Sequence, residues 1–394
     1  MQSQPSSYKS VIQIFLLWFA GLTAAAQFAK FSIPFQNLTE IYPNAGTNLG
    51  LLVSLIGFIG IICGLFASMV VSRFGYRRML IIALVLGAAI SFVQSTLPSF
   101  QTMMVFRIIE GISHLIIVVA APTLIVQLSP QKYVSAYMTL WSSFFGIAFA
   151  IVSWGGMPMI NTYGIGSLFS AHAISMVIIA VCIYIYLPNE NITHSDENSF
   201  SIKTIFNVHI QAYSSAFMSA PAIGWLFYTL TYVSMITIVP ALFHDQTPAY
   251  FIGLLPLVGI ATSFACGAFL LTKFQAVDII IYAFMIACFA LLAYWFDIKI
   301  EYISLVVFAV LGVVQSCTFA SVPQLNADME SQSKANGALA QMGNLGNTIG
   351  TPILLFVLSI AGMNGFITAI IAIYLAGAGA HYYLARQRTK REAL

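Results

Sequence analysis

The chain has 394 residues, of which 60% are hydrophobic and only 7% charged, with a mean hydropathy of +0.91. Soluble domains carry about a quarter charged residues, so water is excluded as the solvent of this surface and lipid is required. The net charge of +3 is too small to imply a nucleic-acid partner.

The apolar residues come in runs of about twenty, the length a helix needs to cross a bilayer. The first run, 11–36, begins like a secretory signal, with Lys9, an apolar stretch from Val11 to Leu22 and then Ala24-Ala25-Ala26. Apolar character continues through Phe28 to Phe35, which favours a retained first helix. Further runs lie at 47–71, 78–97, 101–128, 134–159, 165–187, 212–242, 249–272, 278–296, 300–323, 335–361 and 364–385. Their connectors are short and polar, because irregular backbone is not tolerated against lipid. The longest connector divides the chain into an N-terminal half (1–188), a central linker (189–208) and a C-terminal half (209–394). The expected fold is all-α, with twelve transmembrane helices in two pseudo-repeated six-helix halves.

The halves match at a fixed offset. Arg73-Phe74 meets Lys273-Phe274 at 200 residues, while Gly111 meets Gly312 and Pro122 meets Pro323 at 201. Basic residues set the orientation. With the N-terminus cytoplasmic, Lys9, Arg73, Arg77, Arg78, Lys132, Lys203, Lys273, Lys334, Arg386, Arg388, Lys390 and Arg391 are all cytoplasmic, 12 of the 15 in the chain. Lys299 falls in an outer loop, and Lys30 and Arg107 lie within the membrane. The expected location is the inner membrane, with both termini inside. One chain holds both halves, so a monomer suffices.

Cys63, Cys182, Cys266, Cys288 and Cys317 all sit in apolar runs without CxxC or His spacing. They read as buried free thiols, with no metal site. No GxSxG, Walker A or nucleotide fingerprint occurs, so neither an enzyme nor a cofactor is expected. Without a P-loop the drive is an ion gradient or the substrate gradient itself.

Between the second and third runs the chain reads Ser68-Met69-Val70-Val71-Ser72-Arg73-Phe74-Gly75-Tyr76-Arg77-Arg78. This resembles the G-x-L-a-D-R-x-G-R-R/K signature of the major facilitator superfamily, with Arg73, Gly75, Arg77 and Arg78 in place as its conformational-switch loop. Ser68 and Ser72 replace the family's glycine and aspartate, and that aspartate helps latch the family's two halves in the outward-open state. Arg107-Ile108-Ile109-Glu110-Gly111 is similar to the family's R-x-x-q-G, with Glu110 where glutamine is usual. The stretch from Arg107 to Pro122 resembles the cyanate/nitroimidazole-type branch. The fifth run has Gly146 and Gly155-Gly156 but lacks the G-P-x-x-G-G ending of drug/proton antiporters. The resemblance implies secondary transport by rocking of two halves, with the first, fourth, seventh and tenth helices around a central cavity.

A charge in the bilayer core costs several kcal/mol, so ionisable groups inside a span are functional candidates. These are Lys30 in the first run and Arg107, Glu110 and His114 in the fourth, the last three at i, i+3 and i+7 on one face. Counting at 1.5 Å per residue puts Lys30 and Arg107 at similar depths, outside the midplane. Two cations and one carboxylate leave a positive surplus that attracts an anion. Lys30, Arg107 and Gln27 are therefore expected to bind substrate, and Glu110 with His114 to carry the coupling proton. An ion pair of Arg107 with Glu110 that only stabilises the bundle, and a Lys30 that only snorkels to the interface, are the alternatives. His172 in the sixth run reads as structural.

The second half offers uncharged partners. Trp225, Tyr228 and Tyr232 recur at i, i+3 and i+7, Gln315 matches His114 by the 201 offset, and Gln341 and Asn344 share a face, with Asn347 nearby. Packing is the alternative fate of the aromatic stripe. Gly337, Gly343, Gly346 and Gly350 permit close helix contact. The expected function is proton-coupled symport of a small organic anion across the lipid bilayer, and the alternative is proton-coupled export of drugs or metabolites.

Overall fold

A computed structural model describes residues 7–130, 133–188, 210–243, 250–327 and 329–392. The central linker 189–208 with Lys203, and Lys132, lie outside the described residues. Among the described residues there is helix and no strand. That is the outcome lipid imposes, since a helix satisfies its own backbone groups.

Among the described residues, eleven helical segments are long and apolar enough to cross a membrane. They are α1 (Ser10–Ser32), α2 (Pro43–Gly64), α3 (Tyr76–Gln94), α4 (Phe100–Leu128), α5 (Phe144–Tyr163), α6 (Ile165–Tyr186), α7 (Ser219–Leu242), α8 (Tyr250–Leu271), α9 (Ala276–Phe296), α10 (Ile300–Leu325) and α11 (Lys334–Lys390). At 57 residues α11 is far longer than one crossing needs. It breaks at Gly362, whose φ of 61° and ψ of −161° suit a residue without a Cβ. The two arms, 334–361 and 363–390, are each long enough to cross a bilayer, which makes twelve candidate crossings among the described residues, the number the hydropathy pattern predicts.

Two compact units form, Met1–Asn37 with Cys63–Ser199 and Leu38–Ile62 with Phe200–Leu394. In the first, α1, α3, α4 and α6 pack around Ile14, Leu17, Leu80, Leu84, Ile117, Leu124, Met176 and Ile183. In the second, the first arm of α11 presents glycines to α7. Gly343 lies against Trp225, Gly346 against Thr229 and the Leu226 carbonyl, and Gly350 against the Leu230 carbonyl. Residues 38–62, which the sequence division assigns to the first half, pack here with the second unit. The reason is another set of small residues: Gly57 and Gly60 of α2 lie against Asn344 and Thr348, and Gln341 Nε2 donates to the Ile61 carbonyl at 3.0 Å. Gly312 of α10 rests directly on the backbone of Gly259 in α8.

Candidate functional site

Lys30, near the C-terminal end of α1, and Arg107 and Glu110, in the N-terminal part of α4, are all 0% exposed. The α4 N-terminus is set by Ser99, whose Oγ accepts from the Thr102 amide, and that start puts Arg107 and Glu110 one turn apart facing α1. Lys30 Nζ donates to Glu110 Oε1 at 2.6 Å, to Ser91 Oγ at 2.5 Å and to Gln94 Oε1 at 2.7 Å. Those three bonds match the three hydrogens of an ammonium. Arg107 Nη1 donates to Glu110 Oε2 at 2.5 Å and to the Gln27 carbonyl at 2.8 Å, and its guanidinium lies 4.3 Å from the centre of the Phe31 ring. Gln94 Nε2 completes the carboxylate's partners at 3.0 Å from Oε2. Three of the charged candidates thus form one buried cluster in which Glu110 bridges both cations.

His114 stands apart from that cluster. Its Nδ1 lies 3.1 Å from the Ala24 carbonyl and its ring sits edge-on to Phe28. The histidine beside the cluster is His172 of α6, with Nδ1 2.7 Å from Ser91 Oγ and 3.4 Å from Lys30 Nζ. Sequence reasoning passed over Ser91 and Gln94 and read His172 as scaffold. The signal was present: Ser91 and Gln94 are a polar pair at i, i+3 that follows the apolar stretch from Met79 to Ile90, placed to meet a cation on a neighbouring helix. Gln27 Nε2 donates to Ser113 Oγ at 3.1 Å, while its Oε1 is buried without a hydrogen-bond partner.

In the second unit the aromatic stripe is a ladder. Trp225 stacks on Tyr228 with ring centres 4.4 Å apart, Tyr228 on Tyr232 at 5.1 Å, and Tyr232 meets Phe308 of α10 at 5.1 Å. Tyr228 donates its hydroxyl to Gln315 Oε1 at 3.2 Å, joining two residues that the sequence suggested separately. Gln341 and Asn344 lie elsewhere, on the α11 face that packs on α2: Gln341 accepts from the Tyr213 hydroxyl at 2.9 Å, and Asn344 donates to the Ala340 carbonyl of its own helix at 3.0 Å. Gln341 thus ties α11 to its neighbours, while Asn344 packs against Gly60 of α2.

The turn between α2 and α3 depends on Gly75, with φ of 90° and ψ of 129° immediately before α3. Arg73 and Arg78 are exposed around it. Arg77 reaches α6, donating to the Tyr184 carbonyl at 2.6 Å with its guanidinium 5.3 Å from the Tyr184 ring. A side chain at Gly75 is strained whatever space surrounds it. Gly75→Ala is expected to cost about 1–2 kcal/mol and to lower the melting temperature in detergent, whereas an unchanged melting temperature contradicts that strain.

The chain matches the family model of the Major Facilitator Superfamily over residues 17–351. Among solved structures it is similar to a bacterial homologue of the human lysosomal transporter Spinster in its inward-facing, unoccupied conformation. There the TM-score is 0.72 at 13% identity, covering 96% of this chain and 95% of that one. The same homologue in its occupied, inward-facing conformation gives 0.74 at 12%, covering 97% of each. The inward-open xylose transporter XylE from E. coli gives 0.75 at 14%, covering 95% of this chain and 96% of that one. At such identities the likeness is one of fold. No curated protein sequence matches the chain. These matches reach the superfamily and do not single out the cyanate/nitroimidazole-type branch.

Proposed function

The chain belongs to the Major Facilitator Superfamily, and from that premise we propose that it is a proton-coupled symporter of a small organic anion. Membership makes it a multi-pass membrane transporter and not an enzyme. The proposal places it in the inner membrane as a monomer with cytoplasmic termini, working by alternating access. Lys30, Arg107 and Glu110 are its coupling centre.

The observation that carries this reading is the single carboxylate, Glu110, held between two fully buried cations. With neutral histidines the cluster bears one surplus positive charge, and burying such a charge costs several kcal/mol. Two events relieve the surplus: loss of a proton, or arrival of an anion nearby. Anion binding therefore favours proton binding, and by linkage the proton favours the anion. At an effective dielectric constant of about 20, an anion about 10 Å away gains roughly 1.7 kcal/mol, an eighteen-fold coupling. That is ample for symport.

The proton antiporter reading draws on a different observation, the Trp225–Tyr228–Tyr232 ladder, whose faces suit an apolar cation. Thermal melting of the purified protein separates the two, because a ligand of the folded state raises the melting temperature. The panel is acetate, succinate, citrate, benzoate, glucose and tetraphenylphosphonium, run on the wild type and on Arg107→Gln. Stabilisation by a carboxylate that weakens in Arg107→Gln is the expected result. Stabilisation by tetraphenylphosphonium alone, equal in both proteins, contradicts the symport reading.

A further inference from the structure

Resting on the proton-coupled reading, we propose that Ser91 and His172 are a proton relay, carrying the coupling proton from Lys30 away from Glu110 toward α6.

Donor directions along this path are fixed at both ends. An ammonium only donates, so Ser91 Oγ, 2.5 Å from Lys30 Nζ, is the acceptor in that bond. A backbone carbonyl only accepts, so His172 Nε2, 2.9 Å from the Thr23 carbonyl, carries a hydrogen. The neutral imidazole then has its lone pair on Nδ1, and the Ser91 hydroxyl, 2.7 Å away, donates to it. From Lys30 through Ser91 to His172 both hydrogen bonds point the same way, away from Glu110. Ser91 is 0% and His172 6% exposed, so bulk water does not compete along the path.

Transfer conserves atoms and charge. An Nζ–H bond of Lys30 breaks as a new O–H bond forms on Ser91. The original Ser91 O–H bond breaks as Nδ1–H forms on His172. Lys30 is left a neutral amine and His172 an imidazolium, with Nε2–H still on the Thr23 carbonyl. The charged groups around His172 are Lys30 from α1 and Glu110 and Arg107 from α4, while α3 contributes only the uncharged Ser91 and Gln94. The positive charge moves away from Glu110, leaving Arg107 as the cation paired with that carboxylate.

The test uses the full chain in liposomes with whichever panel carboxylate stabilises it most, comparing uptake driven by a pH gradient with carboxylate exchange at symmetric pH. His172→Asn keeps an acceptor where Nδ1 was but holds no proton. It and Ser91→Ala are each expected to lower the ratio of gradient-driven uptake to exchange about tenfold or more, and Ser91→Thr to restore it. A wild-type ratio in His172→Asn, or equal loss of uptake and exchange in both variants, overturns the relay. If Glu110→Gln remains uncoupled in that case, the symport reading survives. Wild-type uptake that ignores the gradient removes the reading and the relay together. Nitrogen-15 histidine spectra of the ligand-free protein supply an independent arm. His172, assigned by its loss in His172→Asn, is expected as the Nε2–H tautomer at neutral pH, and an Nδ1–H tautomer contradicts the proposal.

Discussion

Glu110→Gln is expected to destabilise the protein by about 3–5 kcal/mol and to abolish any response of uptake to a pH gradient. Glu110 bridges Lys30 and Arg107, and all three are fully buried. Neutralising it leaves two buried cations facing uncharged dipoles such as Ser91, Gln94 and the Gln27 carbonyl. The loss is largely the penalty of those uncompensated charges, which is why it exceeds the net worth of the ion pairs themselves. Arg107→Met behaves differently, because the Lys30–Glu110 pair remains and is neutral. Its stability loss is smaller, while stabilisation by the carboxylate weakens. Melting temperatures of the two variants, measured side by side, check the ordering. A Glu110→Gln protein that melts with the wild type shows that the cluster is not held as charged groups.

Gly312→Val has the second largest expected effect. A Cβ at Gly312 falls on the Gly259 carbonyl group and within 2.6 Å of Thr262 Oγ1, so backbone, and not a flexible side-chain end, stands in its way. Thr262 cannot step aside without breaking its 2.5 Å bond to the Ala309 carbonyl. Separating α8 from α10 is the remaining response, at about 1–3 kcal/mol or more for overpacking. Gly155→Ala in α5, where a Cβ meets nothing within 4 Å, is the control and is expected to change stability by about 0.5 kcal/mol or less. Equal melting of Gly312→Val and the control contradicts the close α8–α10 approach.

The fold was legible because lipid leaves the chain few choices. Twenty-residue apolar runs must be helices, and even the continuous helix through α11 resolves into two crossings at Gly362, inside the short gap between the last two runs. Hydropathy carries no information on which neighbours a helix chooses, so the packing of Leu38–Ile62 with the second unit was not legible. It rests on Gly57, Gly60 and Gln341, whose spacing gains meaning only once α2 and α11 are seen side by side.

The candidate site divides in the same way. Lys30, Arg107 and Glu110 stood out because ionised groups in a span demand a reason, and the structure brings all three together. His114 shares a helix face with Glu110, but helical periodicity cannot tell whether a neighbouring carbonyl, here that of Ala24, captures the ring first. Ser91, Gln94 and His172 come from α3 and α6, helices that family resemblance did not place at the cavity. Uncharged groups carry little weight in a sequence until a cation is found beside them. The aromatic ladder and Gln315 were legible as a stripe and as a repeat partner, while their hydrogen bond depends on how α7 meets α10.

Coupling of anion and proton is tested most directly by proton movement during downhill anion flux. Proteoliposomes holding an internal pH dye, with no initial pH gradient, are given the stabilising carboxylate outside. Inward flux of the carboxylate is expected to acidify the lumen in the wild type and to leave it unchanged in Glu110→Gln. Carboxylate entry into wild-type liposomes with no accompanying acidification contradicts the account.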